Sequence, residues 1–398
     1  MARAKRYPKV RELSNGRFTY RYSVINSETG KRKQKETRGF STAKEAYQEG
    51  LRIEEEIARG IYIEESKLLV KDWADKWLEI YSSSGRVKPS SIHTRRSNLS
   101  VLKRKLGFLK LKDVTPMIYQ DMLDDMKKEG KQKNTISNFH TTAKMMFKKA
   151  KQLELIAKNP TEDAEIPVYS KTVEELETEE EIPRFLEKNE LATLLKVSQE
   201  HGDTQMYHAL FVLSYTGLRV GEMLALKLSD IDRINKRIKV AKTLFERGGI
   251  KKFKLIPPKT KSSRRSVDLG SSVLKIISKQ EAWRNEFIMF RRNEIHNVGD
   301  FLFLNQKTLP GYPLSEGDVL DFMKKMLKKS GLNESLTPHS LRHTYTSLMA
   351  EAGVELPAIQ RLLGHSNDVI TQTIYLHITK TKKKEAVDKL DSLMSGVF

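Results

Sequence analysis

The chain of 398 residues contains no cysteine. That absence excludes disulfides and thiolate metal sites, and gives no reason to expect an oxidising compartment. No apolar run approaches the roughly 20 residues needed to span a bilayer. The basic opening "MARAKRYPKVRELSNGR" leads into an alternating pattern rather than an apolar core with a small-residue cleavage site, so no secretory signal is expected. A glycine-rich phosphate loop ending in Lys-Ser/Thr is missing as well, which leaves nucleotide hydrolysis without support. There is no internal repeat of solenoid length. Negative charge is scarce: 51 Asp and Glu stand against 72 Lys and Arg, a formal net charge of +21. Such a surplus favours a polyanionic partner, nucleic acid first and an anionic membrane second. With no membrane span, the expectation is a multidomain nucleic-acid-binding protein of the cytoplasm, long enough for two or three domains.

Residues 17–25, "RFTYRYSVI", set Phe18, Tyr20, Tyr22 and Val24 on one face and Arg17, Thr19, Arg21 and Ser23 on the other. This is the pattern of a half-buried strand with a basic outer face. A second cationic run, "RKQKETRGF", follows a turn-like segment, and Thr42 with Glu45 forms a capping-box pattern opening a helix that Gly60 would stop. Residues 1–38 carry 12 cations and 3 anions. A small three-stranded sheet with one helix, residues 1–62, is a plausible DNA-reading module. From residue 66 the pattern is helical. Trp73, Trp77 and Tyr81 repeat at helical spacing, Ser90 or Ser91 is placed to cap the next helix, Thr115-Pro116 opens a third and Asn134 a fourth. These predict a basic four-helix domain over 66–168, with Met145, Met146 and Phe147 in its core. Residues 169–184 are a dense acidic run, read as a linker or as an acidic helix against a basic face. A third domain covers 185–398.

The third domain holds the chemistry. In "SYTGLRVGEMLALKLSDID" an apolar helix breaks at Thr216-Gly217 and restarts, with Arg219 and Glu222 three apart near the new N-terminus. A helix start attracts anions, and a guanidinium beside it offers a planar fork for phosphate oxygens. The alternations "RIKVAKTL" and "KKFKLIPPKTKSSRRSVDL" read as strands, the latter with a hairpin tip "PPKTKSS" bearing Lys259 and Lys261. Further on, Pro338 starts a helix "HSLRHTYTSLMAEAG" that places His339 and Arg342 on one face, with His343 at i+4 from His339. The two histidines have metalloprotease spacing, but Ser340 stands where glutamate would be needed and no third ligand is apparent, so metal chemistry is set aside. Arginines suit the non-bridging oxygens of a five-coordinate phosphorus, and histidine and lysine can move protons at its bridging oxygens. The vacancy is a nucleophile. Tyr375, ten residues after His365 in "LLGHSNDVITQTIYLH", fills it, because a phosphotyrosine ester conserves the energy of the broken bond and needs no ATP or other cofactor.

With "TGLRVGE", "PPKTKSSRR", "HSLRHT", "LLGH" and "IYLH" in this order, the chain resembles the tyrosine recombinases, specifically phage and conjugative-element integrases with an added N-terminal arm-binding domain. The resemblance spans essentially the whole sequence and implies an α+β multidomain fold: a small sheet with a helix, a helical core-binding (SAM-like) bundle, and a mainly α catalytic domain with a small antiparallel sheet. It implies a site-specific recombinase working through a 3′-phosphotyrosine. Arg219 and Arg342 would bind the scissile phosphate, His339 and a lysine would act as acid/base groups, His365 would support phosphate and nucleophile, Tyr375 would attack, and Glu222 would support the site. Lys259 is the expected lysine because it precedes Thr260, with Lys261 as its rival. The implied partners are double-stranded DNA at core-type and arm-type sites, three further copies in a tetramer, and accessory bending or directionality proteins, on the nucleoid of a bacterial host. A narrow apolar stripe in the tail, Ala386, Val387, Leu390, Leu393 and Met394, would be buried by a neighbouring subunit or by its own domain. The rival readings are a type IB topoisomerase and a non-catalytic architectural DNA-binding protein.

Overall fold

The computed structural model of the chain describes residues 7–25, 32–58, 68–85, 87–169, 184–258, 263–296, 299–364 and 369–394, with side chains beyond residue 379 described only at Val387 and Asp391. It is an α+β protein of two compact units, Met1–Lys171 and Thr172–Phe398. Among the described residues no helix is long and apolar enough to cross a membrane.

The first unit opens with an antiparallel sheet in the order β1 (Val10–Glu12), β2 (Phe18–Ile25), β3 (Arg32–Glu36), with α1 (Ala43–Ala58) packed on β2. The alternation expected of β2 is present: Tyr20 and Tyr22 are buried, while Arg21 and Ser23 are exposed. Thr19 departs from it. Its side chain is buried and its hydroxyl donates to Glu36 on β3 (3.4 Å), the same carboxylate that accepts from Arg21 (3.1 Å). Gly50 explains how α1 comes close: a Cβ there would sit 2.1 Å from Cγ of Tyr20. The Glu45 amide donates to the Thr42 hydroxyl (3.2 Å) at the start of α1, whereas Gly60 lies outside the described residues.

Four helices follow, α2 (Val70–Ser83), α3 (Pro89–Leu106), α4 (Pro116–Lys128) and α5 (Lys133–Gln152), around Trp73, Leu102, Tyr119, Phe139, Met146 and Phe147. Trp73 donates its indole N–H to the Met146 carbonyl (3.3 Å), which satisfies the one polar group of a fully buried ring. Thr115 caps α4 as expected, accepting from the Ile118 amide (3.2 Å) ahead of Pro116. Two expected starts are corrected. Helix α3 begins at Pro89 with Lys88 as its N-cap, not at Ser90 or Ser91, because proline's fixed φ already suits the first turn. Helix α5 begins at Lys133 with Gln132 as its N-cap and no side-chain cap, not at Asn134. Residues 170–183 of the acidic run lie outside the described residues.

The second unit contains α6 (Lys188–His201), α7 (Thr204–Thr216), α8 (Val220–Leu224), α9 (Ser271–Phe290), α10 (Glu316–Lys329), α11 (Pro338–Glu351), α12 (Leu356–Leu363) and α13 (Val369–Met394). Its strands form two small sheets rather than the one expected. One is ordered β4 (Ile231–Asp232), β5 (Arg237–Val240), β8 (Arg265–Asp268), and the other pairs β6 (Thr243–Phe245) with β7 (Lys254–Ile256). The expected hairpin over "PPKTKSS" is therefore corrected. β7 returns on β6 and β8 returns on β5, so the lysine-bearing segment connects two sheets instead of capping one strand pair. The tail continues the helix that carries Tyr375.

Helix α7 is largely buried and is locked by a buried polar network. Gln280 of α9 donates through Nε2 to Gln205 Oε1 (3.1 Å) and to the Leu302 carbonyl (3.0 Å), which leaves its Oε1 to accept from Nδ1 of His208 (2.9 Å). This assigns the neutral Nδ1–H tautomer to His208, which is 3% exposed. Burial lowers the affinity of His208 for a proton below the ordinary histidine value of 6.5, the positive Lys279 adds to this, and the Gln280 bond and Asp203 only partly oppose it. The unfolded chain therefore takes up a proton that the folded one refuses. The contribution of His208 is complete above about pH 6.5 and is lost as pH falls below it, at up to about 1.4 kcal/mol per pH unit. Thermal melting between pH 7.5 and 5 should show a steeper loss of stability for the wild type than for His208→Asn, which keeps a donor but cannot titrate. Equal slopes would assign the acid sensitivity elsewhere.

Candidate active site

Helix α7 ends at Gly217, which adopts a left-handed conformation (φ 60°, ψ 20°) and donates its amide to the Leu213 carbonyl (3.2 Å). Only glycine suits this point. Besides the positive φ, an added Cβ would lie 2.5 Å from the Tyr345 ring and 2.8 Å from Leu363. The turn aims the Gly217 carbonyl at Arg342, which donates Nη1 to it (2.5 Å) and Nη2 to the Leu363 carbonyl (2.6 Å) at the end of α12. Arg342 is 2% exposed. Its charge is offset by the negative end of α12, whose last carbonyls have no partner within the helix.

Two residues beyond Gly217, Arg219 forms the N-cap of α8. Its backbone amide donates to Glu222 Oε2 (3.1 Å) and its Nη1 to Glu222 Oε1 (2.8 Å). About a third of the Arg219 side chain remains open to solvent, whereas Glu222 is buried. The i, i+3 relation read from sequence is thus a real pair, but it is half of a larger one. Arg265, at the start of β8, donates Nη2 to Glu222 Oε2 (2.9 Å) and Nη1 to Oε1 (3.3 Å), and its Nε donates to the Leu362 carbonyl (2.7 Å). Burial would raise the Glu222 carboxyl, but the bonds and charge of Arg265, with Arg219 behind them, outweigh it and hold the group below the ordinary carboxylate value.

Arg265 was missed by reading motifs. The signal lay in the alternation of "RRSVDL", which puts Arg265 on the same face as Val267, and that face is turned inward.

His339 lies one turn ahead of Arg342 on α11 and is exposed. Its ring meets that of His343 edge to face at 4.9 Å. Tyr375 is half-buried in the second turn of α13, packed with Tyr345, Met349 and Ile378 against Ala350, Ile359 and Leu363. Leu363 therefore joins two predicted participants: its carbonyl takes Arg342 and its side chain belongs to the cluster holding Tyr375. Burial pushes the neighbouring Tyr345 phenol up, with Arg265 and Arg342 pulling the other way. Lys259 and Lys261 fall within 259–262 and His365 within 365–368, outside the described residues. Each is bracketed by placed groups. Ser263 is buried just after the lysines, and Gly364, left-handed at φ 69°, ends α12 just before His365.

Gly217→Ala should cost about 1–2 kcal/mol from the left-handed backbone alone. It should also reduce DNA cleavage at 25 °C far more than a lower melting temperature explains, because the clash displaces the carbonyl that fixes Arg342. Wild-type cleavage by a folded Gly217→Ala protein would show that this carbonyl is dispensable.

Residues 184–382 match the phage integrase family, residues 10–57 an arm DNA-binding domain and residues 69–127 the N-terminal SAM-like domain of phage integrases. The chain is 29% identical over 403 residues to a XerC-like tyrosine recombinase of Caldanaerobacter subterraneus subsp. tengcongensis, covering 97% of this chain and 99% of that protein. It is 30% identical to the transposase from transposon Tn916 of Enterococcus faecalis, over 74% of this chain and 71% of that one. Its fold is similar to that of lambda integrase, solved as a tetramer bound to a Holliday junction, with a TM-score of 0.55 at 20% identity, over 92% of this chain and 94% of that one. The match over 184–382, on the segment that assembles Gly217, Arg219, Arg342 and Tyr375, shows that the chain belongs to the phage integrase family: it is a tyrosine recombinase, an enzyme that cuts and rejoins DNA.

Proposed function

We propose that the chain integrates and excises a mobile element by attack of Tyr375 on the scissile phosphate. The observation that carries this reading is the shared anchor at the end of α12, where Leu363 holds both the Arg342 guanidinium and the Tyr375 cluster. Arg219 and Arg342 bind the non-bridging oxygens and offset the charge that grows on them. The Tyr375 oxygen forms a bond to phosphorus as its proton passes to a base of the site, with His339 as the candidate. The P–O5′ bond breaks, and the leaving 5′-oxygen takes a proton from Lys259, or from Lys261 in its place. His365 supports the phosphate and the nucleophile. Attack by the 5′-hydroxyl of another strand on the phosphotyrosine reverses the chemistry and rejoins DNA without a cofactor.

Residues 1–62 would engage arm-type sites, through the exposed cations of the β1–β3 sheet. Residues 66–168 and 185–398 would hold the core site, with 169–184 as the connection. Four copies acting at one synapse, accessory bending or directionality proteins, and work on the nucleoid in the bacterial cytoplasm complete the reading. The tetramer is supported by the likeness in fold to lambda integrase, solved as a tetramer bound to a Holliday junction. The arm-domain match over 10–57 favours an integrase over a topoisomerase, which has no use for a second class of site.

A suicide core-site substrate should trap a covalent complex with the wild type and with Tyr345→Phe, and none with Tyr375→Phe. An adduct on Tyr375→Phe would remove the nucleophile assignment. A chain lacking residues 1–62 should still cleave the core site but lose integrative recombination, and integration at the full rate would sink the two-site scheme.

A further inference from the structure

The mechanism proposed above gives Arg265 no task, yet its side chain is fully committed. It is 6% exposed, and each of its three nitrogens makes a defined bond: Nε to the Leu362 carbonyl, and Nη1 and Nη2 to the two oxygens of Glu222. Each Glu222 oxygen thereby accepts one bond from Arg265 and one from Arg219, and the carboxylate cannot rotate without breaking several of them. At its other edge, Arg265 holds the carbonyl adjacent to the one that holds Arg342. Leu362 and Leu363, the last residues of α12, serve the two arginines in turn. In the chain, Arg265 opens β8 directly after the segment that carries Lys259 and Lys261.

We propose that Arg265 is a positioning residue for strand cleavage, setting the Arg219 guanidinium through Glu222 and the end of α12, where the His365 segment begins, through the Leu362 carbonyl. The proposal rests on the roles given above to Arg219 and His365. Charge neutralisation by itself would not need this geometry, since a single ammonium near Glu222 would suffice. The planar fork is needed to reach two carboxylate oxygens and a carbonyl at once, and lysine, a point charge on a flexible stem, cannot reproduce it. Removing Arg265 leaves a buried carboxylate facing Arg219 alone. Glu222 then draws Arg219 away from an incoming phosphate, and α12 loses one of its two terminal ties.

The test measures three quantities for Arg265→Lys, Arg265→Gln and the double variant Arg265→Gln/Glu222→Gln: single-turnover cleavage of a core-site suicide substrate per folded molecule, affinity for the same DNA, and melting temperature. Arg265→Lys and Arg265→Gln should both lose about 100-fold in cleavage rate, the cost of a small displacement of a catalytic group, with DNA affinity unchanged. The double variant should regain part of that rate, because the stranded carboxylate is gone. Normal cleavage per folded molecule by either single variant would reduce Arg265 to a purely structural role and overturn the proposal, as would full rescue by lysine or a parallel fall in affinity and rate. Arg219→Ala is run beside them. If it cleaves at the wild-type rate, the assignment of Arg219 fails first, and that failure is recognisable whatever Arg265 does.

Discussion

Guanidinium groups gathered to receive one phosphate repel each other before the phosphate arrives. Two unit charges 4 Å apart in surroundings of effective dielectric 20 cost about 4 kcal/mol, so an empty phosphate site needs internal counter-charge. In the phosphate site proposed for this chain, that counter-charge lies behind Arg219. Glu222 is buried behind Arg219 and shared with Arg265, and among the described contacts Arg342 donates to two carbonyl dipoles, those of Gly217 and Leu363. The rest of the unit is arranged to present these acceptors. The left-handed turn at Gly217 ends α7, Arg219 starts α8, β8 brings in Arg265, and α12 ends with its last carbonyls turned to two arginines. Because buried pairs of this kind gain little net stability and cost much when one partner is removed, their justification is positional.

Local spacing made part of this legible. His339 and Arg342 are a pair that a helical period puts on one face, Arg219 and Glu222 have the spacing of an N-cap and the third residue of its helix, and the break at Thr216-Gly217 announces itself through glycine. The caps at Thr42 and Thr115 were likewise visible because a side chain makes them. The starts of α3 and α5 were misplaced because no side-chain cap marks them. Strand alternation carries faces, in β2 with the exception of the buried Thr19 and in β8 including the inward Arg265, but not partners. Whether β8 pairs with β7 or with β5 is decided by contacts remote in sequence, and nothing in "PPKTKSS" distinguishes a hairpin tip from a link between two sheets. The tie between Glu222 and Arg265 spans 43 residues and has no local signature at all.

The placement of Tyr375 shows the same limit from the other side. The stretch "SNDVITQT" ahead of Tyr375 reads as a separate, adjustable segment, polar and rich in β-branched residues that are poor helix formers. The structure instead has a helix from Val369, because Thr371 and Ile374 are buried in the unit and Tyr375 joins the cluster on Ala350, Ile359 and Leu363. Packing overrides propensity here. The consequence is mechanical. Tyr375 is not carried on a loop that can fold away by itself; it belongs to a helix of 26 residues that also forms the tail. Withdrawing the phenol means lifting the face that holds Thr371, Ile374 and Ile378, at roughly 1.5–3 kcal/mol for each large apolar side chain exposed. The outer end of the same helix, exposed at Val387 and Asp391, lies about three and four turns from Tyr375. Any contact that moves the tail therefore acts on Tyr375 through a continuous helix.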